Sequence, residues 1–313
     1  MRRFLLMVLS AIGLSLVFAS PSHGQLGGLV KRLAPEVKLP NLMEGKPPIT
    51  TNIEDAVYAD PSRDNFDPGV ARDLTSLPLD SQNRFVLAAG YYRMTVQSYC
   101  LHAGTYGPTS GDGYLYAPLK GSQEAAVESI LRNSADHLEF EQRDIQTLIW
   151  AILSRAKFED LSNRHKVIAA TLLSKKQLTS LNRNALDVLT NRQVQGLIGG
   201  VPGPVASVLQ AEADMRRLLA GGGNYGDLEA AAVLAGMAPI GEGSLTGVPS
   251  SRWSRHPDGY WLRFNASSYS RTEVEVWVPE DAVGQVYDPA ITVAVPTNTA
   301  KQRLSQSARV RMD

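Results

Sequence analysis

The chain has 313 residues, 43% of them hydrophobic and 20% charged, with 31 basic residues against 31 acidic ones and a single cysteine. That length suits about two domains, each able to bury a core without disulfide staples. One cysteine excludes an internal disulfide and a multi-thiolate zinc site, and a balanced charge gives no electrostatic basis for binding nucleic acid or an anionic membrane surface.

Residues 1–24 read as a secretory signal. Arg2 and Arg3 form its basic end, residues 4–18 an apolar run, and small residues fill 19–24. The run is shorter than the roughly 20 apolar residues of a membrane span, and no cysteine follows it for a lipid anchor. Removing it leaves a net charge of about −2, because it holds two arginines and no acid. No later stretch is apolar enough to cross a bilayer. The expected location is therefore the periplasm, the cell surface or the medium.

Residues 25–80 read as a Pro-rich, extended lead-in, since Pro35, Pro40, Pro47, Pro48, Pro61, Pro68 and Pro78 interrupt any ladder. Asp60, Asp64 and Asp67 lack the alternating spacing of a calcium loop and read as turn residues before proline. From Ser81 the texture changes. Residues 85–89 open a helical or buried run, residues 91–101 mix aromatic and β-branched side chains up to Cys100, and residues 103–113 form a turn-rich loop.

Helical spacing then dominates. Val127, Ile130 and Leu131 mark one helix; Ile145, Leu148, Ile149, Ile152, Leu153 and Ala156 make a stripe over 141–158. Further helices are expected near 164–174, 184–195, 204–220 and 226–237. Past residue 240, residues 260–265 and 272–278 alternate as two strands around a turn, and 291–295 add a third. The expected architecture is α+β: a mainly helical domain at 81–240 carrying a small sheet, followed by a small β-rich module at 241–298. A polar tail at 299–313, with Lys301, Arg303, Arg309 and Arg311, reads as a solvated terminus.

Chemistry concentrates on Cys100 and Gln146. A free thiol in an oxidising compartment must be buried or capped, because it otherwise oxidises or cross-links. If the sulfur attacks the Gln146 carboxamide carbon and ammonia leaves, the product is a thioester, which an amine can later capture. Gln146 sits on a helix with Ile149 and Trp150 beside it, so its amide is directed into apolar surroundings that slow hydrolysis. Tyr99 adds cover, or a hydrogen bond to the developing oxyanion.

The pair Tyr99-Cys100-Leu101 and Ile145-Gln146-Thr147-Leu148-Ile149-Trp150 resembles the thioester domains of bacterial surface adhesins. In that family an aromatic-Cys-hydrophobic motif is joined to the glutamine of a Thr-Gln-x-Ala-Ile-Trp-like helix. The Gly/Tyr-rich loop and the residues Val127-Glu128-Ser129-Ile130-Leu131 between the motifs are also similar. Ile145 departs from the usual Thr, Leu148 from the usual small residue, and no sortase-type sorting signal is read. The likeness covers about 85–155. It implies covalent capture of an amine, on a protein or other amine-bearing partner surface, with Cys100 as leaving group, Gln146 as acyl carrier and Tyr99, Ile149 and Trp150 as shield. No cofactor is required.

Two other readings stand beside this one. Cys100 and Gln146 can be ordinary packed residues of a non-covalent periplasmic or cell-surface binding module. Alternatively, Cys100 is the nucleophile of a cysteine hydrolase, with His102 or one of His137, His165 and His256 as its base. The histidines show no metal spacing, so no metal site is expected. Trp253, Trp261 and Trp277 read either as hairpin and core pairs or as a carbohydrate face.

Overall fold

The computed structural model describes residues 47–186 and 203–310. Residues 1–24, expected to be a signal, residues 25–46 and residues 187–195 of one expected helix lie outside these. In chain order the strands are β1 (Arg72–Asp73), β2 (Phe85–Val86), β3 (Gly90–Cys100), β4 (Thr105–Tyr106), β5 (Tyr114–Pro118), β6 (Val233–Leu234), β7 (Ser254–Arg255), β8 (Trp261–Ser268), β9 (Arg271–Val278), β10 (Val286–Tyr287), β11 (Thr292–Pro296) and β12 (Leu304–Val310). The helices are α1 (Glu124–Asn133), α2 (Gln142–Leu153), α3 (Asn163–Leu172), α4 (Lys175–Leu186), α5 (Gly203–Gly221) and α6 (Tyr225–Ala232).

Seven strands form an antiparallel sheet in the order β5-β11-β12-β3-β9-β8-β7, with β1 added in parallel to β3. The sheet curls into a nearly closed barrel. Its two ends approach where Tyr116 N–H of β5 donates to Ser254 Oγ of β7 (3.2 Å).

Period-2 alternation sorts side chains between two cores. Tyr92, Met94 and Val96 of β3, Tyr114 and Tyr116 of β5, and Ala294 of β11 face the barrel interior with Phe264, Val274 and Val276. Their neighbours Tyr99 and Leu101, Leu115 and Ala117, and Val293 and Val295 face a helical layer. Helix α2 is central to that layer, touching β3, α1, α3, α5 and α6. Every residue from Asp144 to Leu153 is buried, so α2 is enclosed on all sides. Its first turn is secured by Asp144, whose carboxylate accepts from Glu141 N–H (3.1 Å) and from Arg164 Nε (3.0 Å). Removing a side chain such as Trp150 from this packing costs about 3–5 kcal/mol.

This corrects the expected architecture of a mainly helical domain with a small sheet and a separate β module. β3, from the stretch read as mainly helical, lies between β9 and β12, so strands from both stretches share one sheet. Helices α1, α2, α3, α5 and α6 fall where helices were expected, whereas α4 does not. Strand β5 (Tyr-Leu-Tyr-Ala-Pro), which was not read as a strand, and β11 (Thr-Val-Ala-Val-Pro), which was, are buried on both faces and carry almost no polar alternation.

The basic tail is also not solvated where it is described. Residues Leu304 to Ser307 of β12 are buried, the Lys301 ammonium pairs with Asp112, and Arg309 Nη2 donates to Phe140 O (2.7 Å). Asp60 and Asp67 each accept from a backbone N–H two residues on, those of Ser62 and Gly69 (2.9 Å each), while Asp64 pairs with Arg252. The tryptophan faces are occupied. Arg63 lies 5.0–5.3 Å from the rings of Phe66, Trp261 and Trp277, and Arg263 lies 4.5 Å from Trp253. Among the described residues no helix is long and apolar enough to cross a membrane.

Candidate functional site at Cys100 and Gln146

Cys100 is the last residue of β3. On one side its strand pairs with β12, Cys100 opposite Leu304, and Leu101 N–H donates to Arg303 O (2.9 Å). On the other side β9 stops short. The register ends at Gln97 opposite Arg271, and the turn between β8 and β9 then leads the chain away, with one further bond from Ser98 N–H to Ser270 O (3.3 Å). The N–H and C=O of Cys100 on that edge are therefore beyond the reach of β9. A buried peptide group left unpaired costs about 1–3 kcal/mol.

Two glutamines of α2, one helical turn apart, take the place of the strand. Gln142 Nε2 donates to Ser98 O (3.1 Å) and to Ser270 O (2.7 Å). Gln146 makes a two-point clamp: its Oε1 accepts from Cys100 N–H (2.8 Å) and its Nε2 donates to Cys100 O (3.2 Å). Folding thus joins the two residues singled out by the sequence, which lie 46 positions apart. The Gln146 carboxamide carbon is one covalent bond from each of two atoms held on the backbone of Cys100.

Burial governs the thiol. Cys100 is fully buried and Gln146 is 1% exposed. Burial pushes the Cys100 thiol up to about 11, against the weaker pull of the His102 backbone N–H and the Trp150 indole N–H. The Trp150 indole Nε1 is buried and has no hydrogen-bond partner. Ile149, Trp150 and Tyr99 are each completely buried. Tyr99 adds cover only in part as expected, since its hydroxyl donates to Gln97 Oε1 (2.9 Å) and is not free for an oxyanion.

An open pocket of about 250 Å³ reaches Gln146 from outside. Ser98, Gln142 and Gln146 line one part of it, Tyr225, Tyr269 and Ser270 another, and Glu141 and Arg143 complete the wall. Tyr225 and Tyr269 also pack on Trp150, with ring centroids 5.4 and 6.2 Å from it. Their hydroxyls are hydrogen-bonded to each other (2.9 Å), and Tyr269 donates in turn to Glu229. Sequence reasoning missed Tyr225, Tyr269 and Glu229. Tyr225 opens a helix behind the capping residue Asn224 and Tyr269 sits in a Ser-rich turn, so neither carries a periodic signal.

The histidines are arranged otherwise. The ring nitrogens of His102 are sealed from solvent without a partner, and burial together with Arg303 holds that imidazole well below the ordinary histidine range. It is the backbone N–H of His102 that acts on the sulfur. His137 contacts Glu139, His165 contacts Ser162, and His256 stacks on Tyr260. None of these contacts includes Cys100. Among the described residues no three His, Cys, Asp or Glu side chains are gathered as a metal site.

No protein-family model, curated protein or solved structure matches this chain. The likeness to adhesin thioester domains therefore rests on the sequence resemblance alone.

Proposed function

We propose that this is an exported protein in which Cys100 and Gln146 form an internal thioester that captures an amine on a partner surface. The observation that carries the reading is the clamp of the Gln146 carboxamide on the backbone of Cys100, inside an apolar wall and at the end of an open pocket. Thioester formation joins Sγ to the side-chain carbonyl carbon of Gln146, releases the amide nitrogen as ammonia, and removes a thiol that export would expose to oxidation. Burial excludes water from the acyl carbon, and the pocket gives a small or extended amine a route to it. Cys100 is then the leaving group, Gln146 the point of attachment, and Trp150, Ile149 and Tyr99 the cover. Adhesion to an amine-bearing surface is the function that follows.

A second reading has its own support. Both polar atoms of the Gln146 amide are already satisfied by Cys100, so an unmodified glutamine completes the open edge of β3 as a structural part of a non-covalent binding module. The cysteine hydrolase reading has no comparable support, because among the described residues no imidazole hydrogen bond or ring contact includes the thiol.

Intact mass separates the two. A thioester makes the purified chain lighter by one ammonia, and methylamine adds to Gln146 with recovery of a free thiol. Full mass in a natively purified chain, with no methylamine adduct, would sink the thioester.

A further inference from the structure

A thioester that captures an ammonium group faces a proton problem. The overall change converts R–NH₃⁺ and the thioester into an amide and the Cys100 thiol, with one proton left over. The nitrogen–carbon bond forms, the carbon–sulfur bond breaks, one amine proton ends on the sulfur, and one must leave. The sulfur keeps its proton because a buried thiolate is costly. The surplus proton needs an acceptor near an otherwise apolar acyl carbon.

The pocket contains a chain of hydroxyls suited to this. Tyr269 donates to the Glu229 carboxylate, so its oxygen must accept from Tyr225, whose hydroxyl lies 2.9 Å away. Both tyrosines line the pocket beside Gln146, and Tyr225 is near enough to feel charge on Cys100. The lone pairs of Tyr225 are then free to take a hydrogen bond from an entering amine. The remaining charged groups of the pocket, Glu141 and Arg143, are exposed and at the start of α2, outside this chain of bonds.

We propose that Tyr225, Tyr269 and Glu229 form a proton relay that deprotonates a primary amine as it attacks the acyl group of Gln146. The amine proton passes to Tyr225, the Tyr225 proton to Tyr269, and the Tyr269 proton to Glu229, which releases it to water. This assignment rests on the thioester reading, and it extends the substrate class to amines that are protonated in solution, such as lysine side chains. Tyr225 touches the nucleophile; Tyr269 and Glu229 act through it.

The test follows methylamine capture by intact mass as a function of pH, in the wild-type chain and in Tyr269→Phe and Glu229→Gln. Both variants should retain the ammonia deficit yet capture methylamine about 100-fold more slowly, the scale of a lost general base. Hydroxylamine, uncharged at neutral pH, should react with the variants at near wild-type rate, and raising the pH should restore methylamine capture in them. A purely structural role would slow both nucleophiles alike and leave the pH profile unmoved. An ammonia deficit with unchanged methylamine rates in both variants overturns the relay alone. Loss of the deficit in both variants also overturns it, by assigning these residues to folding or to thioester formation. No deficit in the wild-type chain overturns the thioester and the relay together.

Discussion

Replacing Cys100 with alanine distinguishes a cross-linked chain from a packed one by stability alone. The Gln146 clamp uses main-chain atoms of residue 100, so both of its hydrogen bonds can form in Cys100→Ala. Without a thioester, the variant loses only the contacts of one small buried side chain, about 1 kcal/mol. With a thioester, the wild-type chain is closed across 46 positions, and losing a covalent loop of that length releases about 4 kcal/mol of restraint on the unfolded chain. The variant also recovers the amide nitrogen that thioester formation removes, and its bond to Cys100 O returns about 1 kcal/mol. The net expectation is a loss of about 4 kcal/mol, a large part of the roughly 5–15 kcal/mol that stabilises an ordinary domain. Guanidinium denaturation of both proteins measures it. Methylamine-treated wild type, cut at the same bond with Cys100 intact, should be destabilised by a similar amount. A variant within about 1–2 kcal/mol of wild type, together with no methylamine effect, would refute the cross-link.

Three further outcomes are expected. Iodoacetamide should leave Cys100 unlabelled in the native protein, and in the thioester form it should label denatured chain only after amine treatment; ready native labelling would contradict the burial that pushes this thiol to about 11. Burial raises the Asp144 carboxyl, but the Arg164 hydrogen bonds and the Glu141 N–H outweigh it, so the net shift is downward. Asp144 thus contributes stability that is present above the ordinary aspartate range and is lost as pH falls through its depressed value. Urea midpoints of wild type and Asp144→Asn should differ at pH 7 and converge in acid. Gly104→Ala should cost about 2–4 kcal/mol, because φ is +74° and a Cβ there would lie 2.6 Å from Ser207 O; an unchanged midpoint would show that α5 can shift away.

Helix spacing made α1, α2, α3, α5 and α6 readable, and alternation in Trp261–Ser268 and Arg271–Val278 made that hairpin readable. What a local pattern does not carry is partnership. Nothing in Leu-Ser-Gln-Ser-Ala-Arg-Val says that Ser305, Gln306 and Ser307 will be buried between β11 and β3, because that burial is imposed by strands outside the segment itself. The site divides the same way. Cys100 and Gln146 were legible because residue chemistry and motif order pointed to each other. Tyr225, Tyr269 and Glu229 were not, since a hydroxyl chain is defined by three-dimensional adjacency and leaves no spacing rule. The hydroxyl of Tyr99 was misjudged because its acceptor, Gln97, is on the same strand face two residues away.

The position of β12 bears on the order in which the molecule is completed. Cys100 is opposite Leu304, so one flank of the cysteine is supplied by residues made long after it. During synthesis from the N-terminus, β3 waits with that flank bare while the helices and the β8–β9 hairpin emerge. The environment that keeps water from the Cys100 sulfur is therefore assembled last, and any reactive group formed there is armed only once the whole barrel has been delivered.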